Sequence, residues 1–225
     1  MSAQIEVFDR SDFQLRGPVR TNTVLTDYGE ERFEFDKEGK LLKTLTRYSD
    51  TDYDITHYRY AAGELRERRD EVYRDGSFDR STSFARFYER DSLTGEVTEN
   101  ITSYDRQFRE QLTYHYDSIG RLEQIVRIGQ DGTDHTEVTY SRQKGEVTAA
   151  YEKNGQLVKA VRTSEKEGKE GPVRNTLVRE YFQGTPQKAV EKDLDARGRL
   201  LKETRFEYDS TTASFRKAEV RTLPY

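Results

Sequence analysis

The sequence predicts an all-β chain: an antiparallel meander of about 16 strands built from β-hairpin repeats. Three observations lead there. Apolar and polar residues alternate with a period of two along most of the chain. Glycine-anchored turn sequences recur at short intervals. The 15 Tyr and 11 Phe, with abundant Thr and Val, suit a half-buried pleated surface, and Leu, Ile, Val and Phe together make only about a fifth of the 225 residues.

Residues 1–16 read as an N-terminal arm, and 17–225 as a single all-β domain. Alternation starts at Phe33/Phe35 and continues at Tyr58/Tyr60. The stretch Glu64–Val72 is rich in helix-favouring charges, but Tyr58-Arg59-Tyr60 before it and Tyr73-Arg74-Asp75-Gly76 after it are strand and turn sequences, so it reads as a strand. In 109–116, Leu112, Tyr114 and Tyr116 share a face opposite Gln111, Thr113 and His115. Leu122, Val126 and Ile128 oppose Glu123 and Arg127; Val138/Tyr140 and Val147/Ala149/Tyr151 follow. Residues 164–171, Ser-Glu-Lys-Glu-Gly-Lys-Glu-Gly, read as a polar loop. In 200–208, Leu200, Thr204, Phe206 and Tyr208 alternate with Glu203, Arg205 and Glu207. One wet face per strand is the expected result.

The sharpest turns share one template: Asp, two free residues, Gly, a base, Leu. It occurs at Asp36–Leu41, Asp117–Leu122 and Asp195–Leu200. An Asp at the first position accepts a backbone N–H of the turn, and Gly at the fourth supplies positive φ. Asp36, Gly39, Asp117, Gly120, Asp195 and Gly198 are therefore the structural turn residues of a type I turn with a glycine bulge. Looser copies lie at Gly63, Gly95, Gly145 and Gly155, and two-residue turns at Asp75-Gly76 and Asp131-Gly132. Gly17-Pro-Val-Arg20 also recurs as Gly171-Pro-Val-Arg174, each followed by a Gly-Lys/Arg-Leu-Leu-Lys corner at Gly39 or Gly198. Residues 17–43 and 171–202 thus read as copies of one unit. A flat sheet of so many strands would be roughly 75 Å wide, so the expectation is a sheet curled into a barrel-like or flattened roll or half-shell.

Charged residues are 36% of the chain, but net charge is only -4, with 42 acids interleaved among 38 bases. No basic stretch stands clear of acids, so nucleic acid is not an expected partner. No apolar run approaches the roughly 20 residues of a spanning helix, so no membrane partner is expected either. The start, Met1-Ser-Ala-Gln-Ile-Glu6, lacks a secretory pattern, which predicts a soluble, cytoplasmic protein. Cys is 0, which removes disulfides and thiolate chemistry.

No nucleophile elbow, phosphate loop or dinucleotide fingerprint is present. His57, His115 and His135 lie far apart in sequence and lack metal-ligand spacing, so they read as surface strand residues. Asp131-Gly-Thr-Asp-His-Thr-Glu137 fails the calcium-loop pattern and reads as a hairpin turn. No catalytic residue, metal or cofactor is expected.

Tyr114-His-Tyr-Asp-Ser-Ile-Gly-Arg-Leu122 resembles the YD repeat of the rearrangement-hotspot family, Tyr-Asp-x-x-Gly-Arg-Leu followed by a strand. Phe33–Leu41 and Leu194–Leu200 are similar to it, and Tyr208-Asp209 resembles a truncated copy. The resemblance implies long β-hairpin sheets used as shells or adhesion modules. Tyr151-Glu-Lys-Asn-Gly-Gln-Leu157 resembles short bacterial repeats found in antitoxin components. Together with the supply of Tyr and Arg, which favour interfaces, these features lead to one expectation. It is a non-enzymatic binding or scaffold module, of immunity or toxin-repeat type, whose partner is another protein. The alternative is a carrier of carbohydrate or a small ligand in an aromatic-lined β cavity.

Overall fold

A computed structural model of the chain describes residues 7–13, 15–104, 107–168 and 171–222. Every regular element among them is a strand, and the 16 strands follow one another through the sheet in sequence order, all described pairs antiparallel. The order begins at the first strand and ends at the last, so the meander is not a closed barrel. The chain divides into two compact units, Met1–Thr133 and Asp134–Tyr225.

The first unit holds β1 (Thr21–Thr26), β2 (Gly29–Phe35), β3 (Leu41–Arg47), β4 (Tyr53–Ala61), β5 (Glu64–Arg74), β6 (Ser77–Arg90), β7 (Val97–Ser103), β8 (Phe108–Tyr116) and β9 (Leu122–Gly129). The unit boundary falls inside β10 (Gly132–Gln143). The second unit continues with β11 (Glu146–Lys153), β12 (Gln156–Gly168), β13 (Gly171–Phe182), β14 (Thr185–Leu194), β15 (Leu200–Asp209) and β16 (Ser214–Thr222). Ser164–Gly168 thus completes β12 and Gly171 opens β13, paired as Gly168↔Gly171, so the polar segment is the far end of a long hairpin and not a loop. Glu165, Lys166 and Glu167 are exposed there.

The three Asp-x-x-Gly turns form as the residues dictate. Gly120 N–H donates to Asp117 O at 2.9 Å, Asp117 N–H to Arg121 O at 2.8 Å, and the Ile119 and Arg121 N–H groups to Asp117 Oδ1 at 3.0 and 2.8 Å. Asp195 and Gly198 repeat this arrangement, and Asp36 and Gly39 the main-chain part of it, with Lys40 N–H on Asp36 Oδ1 at 2.8 Å. The glycines have φ of 96°, 80° and 79° at Gly39, Gly120 and Gly198. Each turn leaves a register shift at the first pair of its hairpin, the glycine bulge expected.

Gly63, Gly145 and Gly155 are not copies of that turn. They are second residues of two-residue hairpins, after Ala62, Lys144 and Asn154 at φ near 50°, a pattern shared by Asp75-Gly76 and Gln183-Gly184. Positive φ at both positions matches the right-handed twist of the flanking strands. The repeated units agree in their corners. β1–β2 and β13–β14 each end at the Asp-x-x-Gly turn, and Leu41 and Leu200 start the next strand.

The core is thin. In the first unit Phe35, Leu41, Leu65, Ala85, Val97 and Ile101 are buried; in the second Val138, Ala149, Leu177 and Ala189 are. Long Tyr, Arg, Lys and Glu side chains cover the rest of the pleated surface, their stems over apolar atoms and their heads in cross-strand pairs. This accounts for a composition rich in charge and aromatics but poor in aliphatics. The arm joins in: Asp9 bridges Lys40, Leu41 N–H donates to Phe8 O at 2.8 Å, and Phe13 packs on Phe33 at 4.6 Å between ring centroids.

Candidate functional site

The densest chemistry lies on the two faces of β4–β8. A bulge in β5 decides which residues share a face. Tyr60 pairs with Leu65 and Arg59 with Glu67, leaving Arg66 extra. Simple alternation would put Leu65 and Glu67 together; the bulge sends them to opposite faces.

On the Leu65 face, Leu65 and Val97 are the buried centre, packed by Phe8, Tyr58, Tyr60, Tyr88, Tyr114 and Tyr116. Beside them a polar network crosses five strands, β4 to β8. Asp70 accepts from Thr56 Oγ1 at 2.9 Å and from Arg68 Nε and Nη2 at 3.1 and 2.9 Å. The buried Glu99 accepts from Arg86 Nη1 at 2.7 Å, Tyr88 OH at 3.2 Å and Tyr114 OH at 2.9 Å. Asp70 Oδ2 and Arg86 Nε, both out of solvent, face each other at 3.8 Å. Burial, then the Glu99 charge, pushes the Tyr88 and Tyr114 phenols well above their ordinary range. Two carboxylates are thus matched by two guanidiniums and by phenols that stay protonated, an arrangement that fixes strands to one another.

On the Glu67 face, Glu67 is held between Arg59, whose Nε and Nη2 each approach Glu67 Oε2 to 2.7 Å, and Arg69. Burial alone would raise the Glu67 carboxyl; the hydrogen bonds and charges of Arg69 and Arg59 outweigh it and hold the carboxyl below its usual range. These three side chains, with Phe87, Thr102 and Tyr104, line a 560 Å³ hollow. Next to it runs a row of rings: Tyr53 stacks on Tyr73 at 4.6 Å, Tyr73 meets Phe78 at 5.4 Å, and Phe78 meets Tyr104 at 4.8 Å. Tyr104 OH donates to Glu71 at 2.6 Å. Each ring is half-buried against the next, stacked at Tyr53–Tyr73 and edge-on at Phe78–Tyr104.

The structural turn residues lie at hairpin ends, away from this hollow. Asp36, Gly39, Asp117 and Gly120 are at one end of the first unit's strands, and Asp195 and Gly198 are in the second unit. The histidines stay dispersed over β4, β8 and β10. His57 Nε2 is 3.7 Å from Glu71, His115 Nδ1 is 2.7 Å from Glu96, and His135 O accepts Asn154 N–H. Asp131 turns back to Arg127 at 3.2 Å and Asp134 to Lys153 at 2.9 Å. Among the described residues no group of three or more His, Asp or Glu is placed to hold a metal ion.

Two features escaped the sequence reading. One is the Asp70–Glu99 network, whose pattern the β5 bulge hides. The other is what the turns display. Asp91 forms a longer version of the Asp-x-x-Gly turn, with the Leu93 N–H on its Oδ1 at 2.7 Å and Gly95 N–H on its O at 2.9 Å. The residue two after the Asp is Glu38, Leu93, Ile119 or Arg197 in the four turns. Leu93 is 94% exposed and Ile119 62%. The Asp braces the backbone, and the side chain at this position varies freely.

No protein-family model and no curated protein matches the chain. Among solved structures it is similar to a Bacteroides fragilis protein of unknown function, with 13% identity over 76% of this chain and 92% of that one. The TM-score is 0.26, at which the likeness carries no argument.

Proposed function

We propose that the chain is a non-enzymatic binding or scaffold module that engages another protein through the tips of its hairpins, in the manner of a short YD-type hairpin repeat. The observation that carries this reading is the pair Leu93 and Ile119. They stand on the neighbouring hairpins β6–β7 and β8–β9, at the same end of the first unit, each on an Asp-braced turn and each in water. Covering an exposed aliphatic side chain of this size contributes about 1.5–3 kcal/mol, and a braced backbone lowers the ordering cost of doing so. The carboxylates best shielded from water, Glu67 and Glu99, are committed to Arg and Tyr partners, which suits a structural role for them.

The test compares two variants for capture of a partner from an extract of the native host. L93S/I119S changes only exposed side chains and is expected to fold normally and lose capture. H57A/H115A/H135A is expected to retain both folding and cellular function. A folded triple-histidine variant without function would point instead to an acid–base or metal centre.

A further inference from the structure

The two ends of the meander are built differently. β16 carries Arg216, Lys217, Glu219 and Arg221, and charged side chains on an edge discourage pairing with another chain. β1 reads Thr-Asn-Thr-Val-Leu-Thr: six residues with no charge and no proline, bonded on one side to β2. The phase of its free side is fixed. Phe35 N–H donates to Arg20 O at 2.9 Å, and Thr26 pairs with Gly29 across a two-residue turn. Arg20, Asn22, Val24 and Thr26 therefore bond to β2, and Thr21, Thr23 and Leu25 turn their N–H and C=O groups outward. Leu25 is 81% exposed, on the same sheet face as Thr21 and Thr23. At the Thr21 end, a 720 Å³ cleft opens; Pro18, Val19 and Leu42 supply apolar lining beside Thr21 and Glu34, and charged residues of the β2–β3 turn and the arm line it as well.

We propose that β1 pairs antiparallel with β1 of a second copy of this chain, about a two-fold axis at Thr23, so that each Leu25 seats at the rim of the other copy's cleft. Only this register matches all three outward residues: Thr23 with Thr23, Thr21 with Leu25, and Leu25 with Thr21. It puts the exposed Leu25 of one β1 opposite the residue that lines the cleft of the other. The patch is thus complementary to itself, as a two-fold interface requires. A strand without charges meets its own copy with no like-charge cost. The occupant is a second copy and not the partner of the hairpin tips, which lie on other strands, so the two readings fail independently.

The chain has no cysteine, so introduced thiols report position cleanly. A hydrogen-bonded antiparallel pair has Cα atoms about 5.5 Å apart, inside the usual range for a disulfide. On oxidation, or with a short bismaleimide, T23C is expected to give a covalent dimer. T21C and L25C alone are expected not to, and the double variant T21C/L25C is. T222C, on β16, is the control. By sedimentation the unmodified chain is expected to be a dimer. L25K is expected to weaken dimerisation at least about tenfold. T23P removes an outward N–H without touching the β1–β2 ladder, and is expected to be a folded monomer. A chain that stays monomeric up to roughly 1 mM, a T23P dimer as tight as the parent, or cross-linking at T222C in place of T23C overturns the proposal.

Discussion

Four phenols of the first unit are held neutral by their surroundings, Tyr104 among them through burial and its hydrogen bond to Glu71. Burial raises the pKa of Tyr60 from its ordinary 10.0 to about 12, and burial with the Glu99 charge raises Tyr88 and Tyr114 further. A folded-state pKa above the unfolded value gives stability that is complete below pH 10 and lost as pH climbs toward the folded values. The chain should therefore destabilise above about pH 10. In an absorbance titration, these buried phenols should ionise only with unfolding. Simple titration of all 15 at one midpoint would contradict this. Glu99 is the acceptor that organises two of them. E99A should cost about 2–3 kcal/mol by leaving Arg86 and two phenols without their acceptor, and E99Q clearly less; denaturant melts decide. Glycines divide by surroundings. A Cβ at Gly29 would lie 1.9 Å from Arg47 O, whereas one at Gly120 would meet nothing within 4 Å. G120A should cost about 1–2 kcal/mol from positive φ alone, and G29A distinctly more.

At the level of elements, the hairpin turns carry most of what sequence can and cannot reveal. The Asp-x-x-Gly turns are legible because each residue in them does one thing, Asp accepting the turn's N–H groups and Gly supplying positive φ. Ala62-Gly63, Lys144-Gly145 and Gln183-Gly184 are hard to read because their first residues are not the Asn or Asp that favour positive φ. K144N should accordingly stabilise the chain by about 0.5 kcal/mol, measurable as a raised denaturation midpoint. The β5 bulge at Arg66 is invisible for another reason: it inverts alternation inside a run of charges where neither phase looks wrong. The same turns contribute to the acid limit. Backbone N–H from Arg121, helped by its guanidinium, holds Asp117 below its usual pKa; at Asp195 burial opposes but Arg199 prevails. A lowered carboxyl gives stability that is present above the unfolded pKa and lost as pH falls through the folded one. Stability should therefore decline below about pH 4, and D117N should flatten that decline.

For the whole molecule, sequence order determines the sheet: each strand is flanked by its sequence neighbours, from β1 to β16, in two compact units. The period-two pattern made that meander readable. The division inside β10 was not, because alternation runs through Val138/Tyr140 without interruption. Nor was the difference between the two edges, because the charge on a strand has no consequence until its place at the end of the sheet is known. The central claim is an open meander of hairpins, and residue-resolved amide hydrogen exchange tests it most directly. In an interior strand the amides outside the bulges are bonded to one neighbour or the other and should be protected; along β16 protected and fast amides should alternate at every protein concentration. Uniform protection along β16 would mean a closed sheet, and runs protected with helical connectivity would contradict the all-β fold itself.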